Sequence, residues 1–424
     1  MDTIFALSSG APPAAIAVVR ISGPQAGDAL TRLCGKLPRP REAKLASLRA
    51  ADGSLLDQAL VLWFPGPKSE TGEDCAELQL HGGRAIVDAI YSELSKVNGL
   101  RLAEPGEFTR RAFANGQIDL LQVEGLADLV SAETELQRRA ALGMAGGRLS
   151  RQVDAWQERL LTLSAQVEAA LDFEDEGDVA DLGVDFAAGV SALAGELREA
   201  LAAPSAEVLR EGYRVALAGP PNAGKSTLFN VLVERTAAIV TPIAGTTRDV
   251  LERSVALAGV PFTFVDMAGL RGATADPIEE LGIARARAEI GAADCVLWLG
   301  PEGEGPAGAW EIEARYDLAD HVLKRAPVQC VSAVTGFGID ALKDALIEKA
   351  TAEMPKPGEL ALVRRQRELI QAAANALSEV ASLRDPLVFA EHLRTARTAF
   401  DRLTGRAATE DMLDALFGRF CIGK

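Results

Sequence analysis

The sequence predicts a multidomain chain of α/β plus all-α character, with two α/β units separated and followed by helices. Three observations predict it. At 424 residues the chain exceeds one ordinary core, since about 150 residues per domain implies two or three domains. Hydrophobic residues make up 48% and aromatics only 5%, with Ala and Leu dominant, which favours helix-on-helix packing beside some sheet. The apolar pattern also changes period along the chain, from strand-like runs to helical stripes and back.

Taken in order, residues 1–118 mix β-rich runs, Ile16 to Ile21 and Leu60 to Phe64, with Gly/Pro turns and helix-like stretches. From about residue 122 to 171 the spacing becomes helical, through Leu126, Leu129 and Val130, then Trp156, Leu160, Leu163 and Val167. The acidic run Asp172 to Glu176 interrupts it, and another helix passes through Leu197 and Leu201 before Pro204. Residues 211–352 alternate apolar runs with helical segments, as a mostly parallel sheet covered by helices does. After Pro355 and Pro357 the helical stripe returns with Leu369, Ile370, Ala373, Leu377 and Val380. Two helical stretches flanking one α/β unit make an insertion: a discontinuous helical domain, 119–210 with 353–424, interrupted by 211–352.

The formal net charge is −16, so the surface as a whole repels phosphate, and a role on RNA would call for a basic partner. The runs Arg110-Arg111, Arg138-Arg139 and Arg364-Arg365-Arg367 read first as solvated helix faces. Five cysteines, odd in number and without C-x-x-C spacing, imply a reducing compartment. Three histidines, His81, His321 and His392, give little support to a zinc site. The N-terminus lacks a basic leader, and its apolar stretch Ala14 to Val19 is cut by Arg20, so a soluble, cytoplasmic protein is expected.

The chemistry concentrates in the second α/β unit. Gly219-Pro220-Pro221-Asn222-Ala223-Gly224-Lys225-Ser226 fits G-x-x-x-x-G-K-[ST], with strand-like Arg214 to Ala218 before it and helix-like Leu228 to Leu232 after it. In such a loop the glycines let backbone N–H groups close around phosphates, Lys225 supplies a point charge and Ser226 offers an oxygen to Mg²⁺. Downstream, Thr246-Thr247 can complete a magnesium shell, and the strand Phe262 to Val265 runs into Asp266-Met267-Ala268-Gly269, a D-x-x-G. The three motifs in this order describe a nucleotide switch of the P-loop (Ras-like) G-domain kind.

Leu270 stands where many GTPases carry a water-orienting glutamine, which leaves Glu279 or Glu280 as physical candidates, beside the plainer reading of both as exposed helix residues. N-K-x-D is absent; its remnant is Ala314-Arg315-Tyr316-Asp317, which keeps the aspartate able to pair with guanine N1 and N2. Ser332-Ala333-Val334, after strand-like Val328 to Val331, fits the loop that supports guanine O6.

Four separated blocks then coincide: Val19-Arg20-Ile21-Ser22-Gly23-Pro24, Pro105 to Phe113, the nucleotide motifs, and the terminal Cys421-Ile422-Gly423-Lys424. With them the chain resembles, end to end, the MnmE (TrmE) family of tRNA-modification GTPases. The resemblance implies an N-terminal folate-binding and dimerising domain (1–118), a helical domain and an inserted G domain (211–352) that dimerises across its nucleotide face. It implies GTP contacts from Asn222 to Thr227, Thr241, Pro242, Ile243, Ala244, Gly245, Thr246 and Thr247, Asp266 to Gly269, Asp317 and Ser332 to Val334. Ser226 and Thr247 would hold Mg²⁺. Asn222, Thr241, Ile243 and Thr246 would hold a K⁺ that takes the place of an arginine finger.

By the same resemblance Glu279, three residues before Gly282-Ile283, becomes the water-orienting glutamate, and Cys421 matches a cysteine important for the modification. Arg20, Glu77 and Lys424 match the folate pocket, while Gln117 stands where a lysine is common. The activity implied is aminomethyl or carboxymethylaminomethyl addition at C5 of the wobble uridine, position 34. The cofactor would be 5-formyl- or methylene-tetrahydrofolate. A homodimer would act with the flavoprotein MnmG (GidA) in a heterotetramer-like complex, tRNA being reached through that complex. Met267, Ala314, Gln117 and the Gly-, Pro- and Glu-rich stretch Gly300 to Gly308 depart from the family pattern. Two other readings of the sequence are a ribosome-assembly or signalling GTPase switch, and a degenerate nucleotide-binding scaffold.

Overall fold

A computed structural model describes residues 2–174, 182–234, 251–267, 288–356, 359–380 and 385–424. The chain divides into two compact units, Met1–Ala127 with Asp401–Lys424, and Asp128–Phe400.

The first unit is built on a six-stranded sheet in the order β3-β4-β5-β2-β1-β6. Its strands are β1 (Thr3–Leu7), β2 (Ile16–Ser22), β3 (Lys44–Arg49), β4 (Leu55–Phe64), β5 (Cys75–His81) and β6 (Leu100–Leu102). Pairing is antiparallel except for β1 with β6. The expected strands at residues 16 and 60 are thus present, and along β4 Asp57, Ala59, Val61 and Trp63 are buried while their neighbours are not, the alternation of a sheet covered on one face. Helices α1 (Ala26–Cys34) and α2 (Arg84–Ser95) cover that face with Leu30, Leu33, Ile90 and Leu94.

Beyond β6 come α3 (Glu107–Ala114) and α4 (Leu120–Ser131), and late in the chain α13 (Glu410–Phe417). On α4 Leu120, Leu121, Val123, Glu124 and Gly125 are buried, and of the expected stripe Leu126 packs against the same core whereas Val130 is 50% exposed. Leu120 and Val123 pack with Leu413, Phe417 and Phe420. Asp401–Lys424, the end of the discontinuous helical domain expected over 119–210 with 353–424, groups in the structure with Met1–Ala127.

The second unit carries a sheet in the order β12-β11-β10-β7-β9-β8. Its strands are β7 (Tyr213–Ala218), β8 (Leu251–Leu257), β9 (Val260–Asp266), β10 (Cys295–Trp298), β11 (Trp310–Glu313) and β12 (Gln329–Cys330). All pairs are parallel except the β8–β9 hairpin, and all seven residues of β9 are buried, as befits a strand covered on both faces. Helices α9 (Lys225–Glu234) and α10 (Ile339–Glu353) pack against this sheet through Leu228, Leu232, Leu342 and Leu346.

The remaining helices are α5 (Glu135–Ala145), α6 (Arg148–Glu174), α7 (Gly183–Ala202), α8 (Glu207–Glu211), α11 (Arg364–Val380) and α12 (Pro386–Thr404). Ile370, Ala373, Leu377 and Val380 are the buried side of α11, as the spacing predicts. The basic runs are largely engaged: Arg110 pairs with Glu410 and Asp414, Arg111 with Asp2, Glu73 and Glu107, and Arg138 and Arg139 with Glu135. Among the described residues no helix is long and apolar enough to cross a membrane.

Candidate nucleotide-binding site

β7 ends at Ala218, and the chain turns through Gly219 to Gly224 into the N-terminus of α9. Three residues of this turn have positive φ, Gly219 at 150°, Asn222 at 62° and Gly224 at 93°. Asparagine tolerates that conformation through its short polar side chain, and glycine meets it without a Cβ penalty. The loop opens onto a cleft of about 930 Å³ whose lining includes Gly219, Asn222, Gly224, Lys225, Ser226 and Thr227. Lys225 is 8% exposed, and its Nζ donates to the carbonyls of Gly219 (3.0 Å) and Pro220 (2.8 Å), so its charge is held against the loop.

Across the cleft lie Ala314, Arg315, Asp317, Ala333 and Val334, so the loops read as base-facing come together with the phosphate loop. Ser332 Oγ donates to Asp317 Oδ1 at 2.6 Å. That bond holds the Asp317 carboxyl below the usual carboxylate range. Asp317 is therefore an acceptor throughout neutral pH.

Arg315 was missed by motif reading. It is left-handed at φ 59°, its Nη1 donates to the Asn222 carbonyl (3.3 Å), and its stem lies over Gly224, where an added Cβ would sit 3.4 Å from Arg315 Cγ. The signal was available, since Arg315 occupies the lysine slot of the vanished N-K-x-D.

Asp266 closes β9 with 1% exposure, and Met267 beside it packs with Ala216, Ala218, Val265 and Val296, an apolar niche that accepts methionine. Thr241 to Thr247, Ala268, Gly269 and Glu279 lie outside the described residues. The stretch Gly300 to Gly308 is irregular and wraps Trp298, whose Nε1 donates to the Pro301 carbonyl (2.8 Å). Gly300 and Gly305 lie against the indole, so closely that a Cβ on either would clash with it.

In the first unit Arg20 is opposite Glu77 in the β2–β5 register and pairs with both Glu77 (3.0 Å) and Glu70 (2.6 Å). Gln117 lies against Gly72, and its neighbour Asn115 donates to the Thr71 carbonyl (2.7 Å). The C-terminal segment docks on the same unit: Pro105 bridges Ile422, and Gly106 N–H donates to the Cys421 carbonyl (3.5 Å). Gly423, at φ 96°, comes so close to Leu7 that a Cβ there would lie 2.0 Å from the Leu7 carbonyl oxygen. Leu7 is the register neighbour of Ala6, which faces Arg20, so the segment ending in Lys424 reaches the strand pair that carries Arg20. Cys421 is exposed.

Residues 3–117 match the GTP-binding protein TrmE N-terminus, and residues 120–421 match the MnmE helical domain. The chain belongs to the MnmE (TrmE) family. It is 61% identical over 424 residues to the tRNA modification GTPase MnmE of Erythrobacter litoralis, covering 100% of each chain. It is 59% identical to that of Novosphingobium aromaticivorans over 435 residues, again covering 100% of each. The corresponding protein of Zymomonas mobilis is 51% identical over 436 residues, covering 100% of each. MnmE membership makes this chain an enzyme, a GTP hydrolase, and matches the N-terminal α/β and helical architecture described above.

Proposed function

We propose that the chain couples GTP hydrolysis to addition of an aminomethyl or carboxymethylaminomethyl group at C5 of uridine 34 of certain tRNAs, in the cytoplasm and together with the flavoprotein MnmG (GidA). The observation that carries the nucleotide half is a single cleft lined by both the phosphate loop and the Asp317 and Ala333 loops. The modification half is supported by full-length similarity to relatives named as tRNA modification GTPases.

In this reading the backbone N–H groups before α9 bind phosphate, and Lys225 adds its charge. Asp317 accepts from guanine N1 and N2, with Ser332 fixing its orientation. Ser226 and Asp266 offer only oxygen, the donor set a hard cation such as Mg²⁺ requires. Bound there, Mg²⁺ would neutralise charge on the phosphates. Asn222, on the cleft wall, would share K⁺ with Thr241, Ile243 and Thr246, which lie outside the described residues, as does the proposed water-orienting Glu279.

The Arg20–Glu77 pair combines an anion-binding guanidinium with a carboxylate able to accept pterin N–H groups, which suits tetrahydrofolate, with Lys424 and Gln117 as further contacts. Gln117 brings no charge to the polyanionic tail. The exposed Cys421 is available to act in the modification. The chain would act as a homodimer formed through the N-terminal and G domains, and a basic tRNA surface on the partner fits the net charge of −16.

The test is nucleotide hydrolysis by the purified full chain, GTP against ATP and K⁺ against Na⁺. Guanine-selective, K⁺-stimulated turnover is the expected result; equal turnover of ATP, or indifference to K⁺, would overturn the corresponding part of the mechanism.

A further inference from the structure

The turn bearing Asp317 starts at Ala314, which has no side-chain hydrogen-bonding group where N-K-x-D has an asparagine, so the turn must be held from elsewhere. His321 closes it. Its Nδ1 is 2.6 Å from the Leu318 carbonyl oxygen, and its Nε2 is 2.8 Å from Glu313 Oε1, at the end of β11. A carbonyl and a carboxylate both accept, so both ring nitrogens donate, which defines the imidazolium. The two side chains are 13% and 6% exposed, so water competes little for these bonds.

The same ring continues into an aromatic column. Tyr316 lies 5.3 Å from His321 and stacks on Phe337 at 5.2 Å and 12°. Phe337 belongs to the loop of Ser332, whose N–H donates to the Phe337 carbonyl (2.9 Å), while Tyr316 N–H donates to the Val331 carbonyl (3.1 Å). The column therefore links the two base-facing loops in addition to the Ser332–Asp317 bond.

We propose that His321, clamped as an imidazolium between Glu313 and the Leu318 carbonyl, holds the turn that carries Asp317 and so acts, beside Ser332, as a positioning residue for guanine discrimination in this chain. The proposal rests on the GTP-binding reading of the cleft. Besides Glu313, the charged groups near the ring are Asp317 and Asp320 of its own turn. Lys324 points elsewhere, its Nζ donating to Glu311 (2.5 Å) and the Trp298 carbonyl (2.8 Å), and Cys330 of β12 approaches Glu313, not the ring.

The bond to the Leu318 carbonyl, then that to Glu313, raises the His321 pKa above its ordinary value. The raised value fixes the sign: the clamp is complete below the unfolded value of about 6.5 and is lost as pH rises through the raised one.

The experiment measures GDP and IDP affinities of the full chain by titration from about pH 6 to about pH 9, for the wild type and for His321→Gln. IDP lacks the 2-amino group that Asp317 reads, so the IDP-to-GDP ratio of dissociation constants reports the carboxylate's placement, whereas a general loss of fold would weaken both nucleotides alike. In the wild type this ratio should fall by about five- to tenfold as pH rises, the size of one lost hydrogen bond. In His321→Gln it should be low and flat with pH, while both nucleotides still bind. A wild-type ratio that does not change with pH, or a variant that keeps the wild-type profile, overturns the proposal. The wild-type profile decides by itself if the variant does not fold. Failure of the wild type to bind either nucleotide would instead refute the reading of the cleft.

Discussion

Asp317 shows how much chemistry one carboxylate can hold when a neighbour aims it. The Ser332 hydroxyl holds its pKa down, so protonation is reached only below the usual carboxylate range, and guanine pairing should persist through mildly acidic pH and fail as pH falls through the lowered value. Replacing Asp317 with Asn exchanges one acceptor for a donor. That geometry rejects the guanine 2-amino group and accepts the 2-oxo group of xanthine. We expect Asp317→Asn to lower GDP affinity by at least about tenfold and to raise XDP affinity, read by competition titration. An unchanged preference would place base recognition elsewhere. At this scale the phosphate loop was legible because its glycines, lysine and serine are fixed by chemistry at fixed spacing. Arg315 was legible as the lysine slot of N-K-x-D, but its bond to the Asn222 carbonyl was not. His321 was hidden because its partners, Glu313 and Leu318, converge only once the turn has formed.

Among the elements, strands declared themselves more readily than the surfaces that cover helices. β2, β7 and β9 follow their apolar runs, and α9 follows the phosphate loop as expected. On α4 the expected stripe caught Leu126, which packs against the cluster of Leu413, Phe417 and Phe420, but not Leu120 and Leu121, which sit at the very start of the helix, before periodicity accumulates. The terminal segment was legible as a motif but not as a docked element. Its seat depends on backbone proximity, with Gly423 against Leu7 and Gly106 against Phe417, whose carbonyl oxygen would lie 2.3 Å from a Cβ at Gly106. Gly423→Ala would place a Cβ against the Leu7 carbonyl and impose a left-handed alanine. It should free the last residues, seen as faster carboxypeptidase release of Lys424 and faster amide exchange around Cys421, while GDP affinity stays within about twofold. Unaltered release and exchange would mean that the tail is held by other contacts.

For the whole molecule, the two-unit division makes the first and last segments of the chain one structure. Leu413, Phe417 and Phe420 each bury an apolar side chain against the start of α4, at about 1.5–3 kcal/mol apiece. Their sum rivals the roughly 5–15 kcal/mol that holds a typical domain together. Ending the chain at Phe400 should therefore abolish or sharply lower the unfolding transition of the N-terminal unit in calorimetry, with GDP affinity preserved; an unshifted transition would show that Met1–Ala127 is stable alone. This arrangement also orders events on the ribosome. Domains usually fold in the order they emerge, yet here Leu120 and Val123 wait, through the synthesis of all of Asp128–Phe400, for partners that come last. The first unit to be translated is the last to be finished.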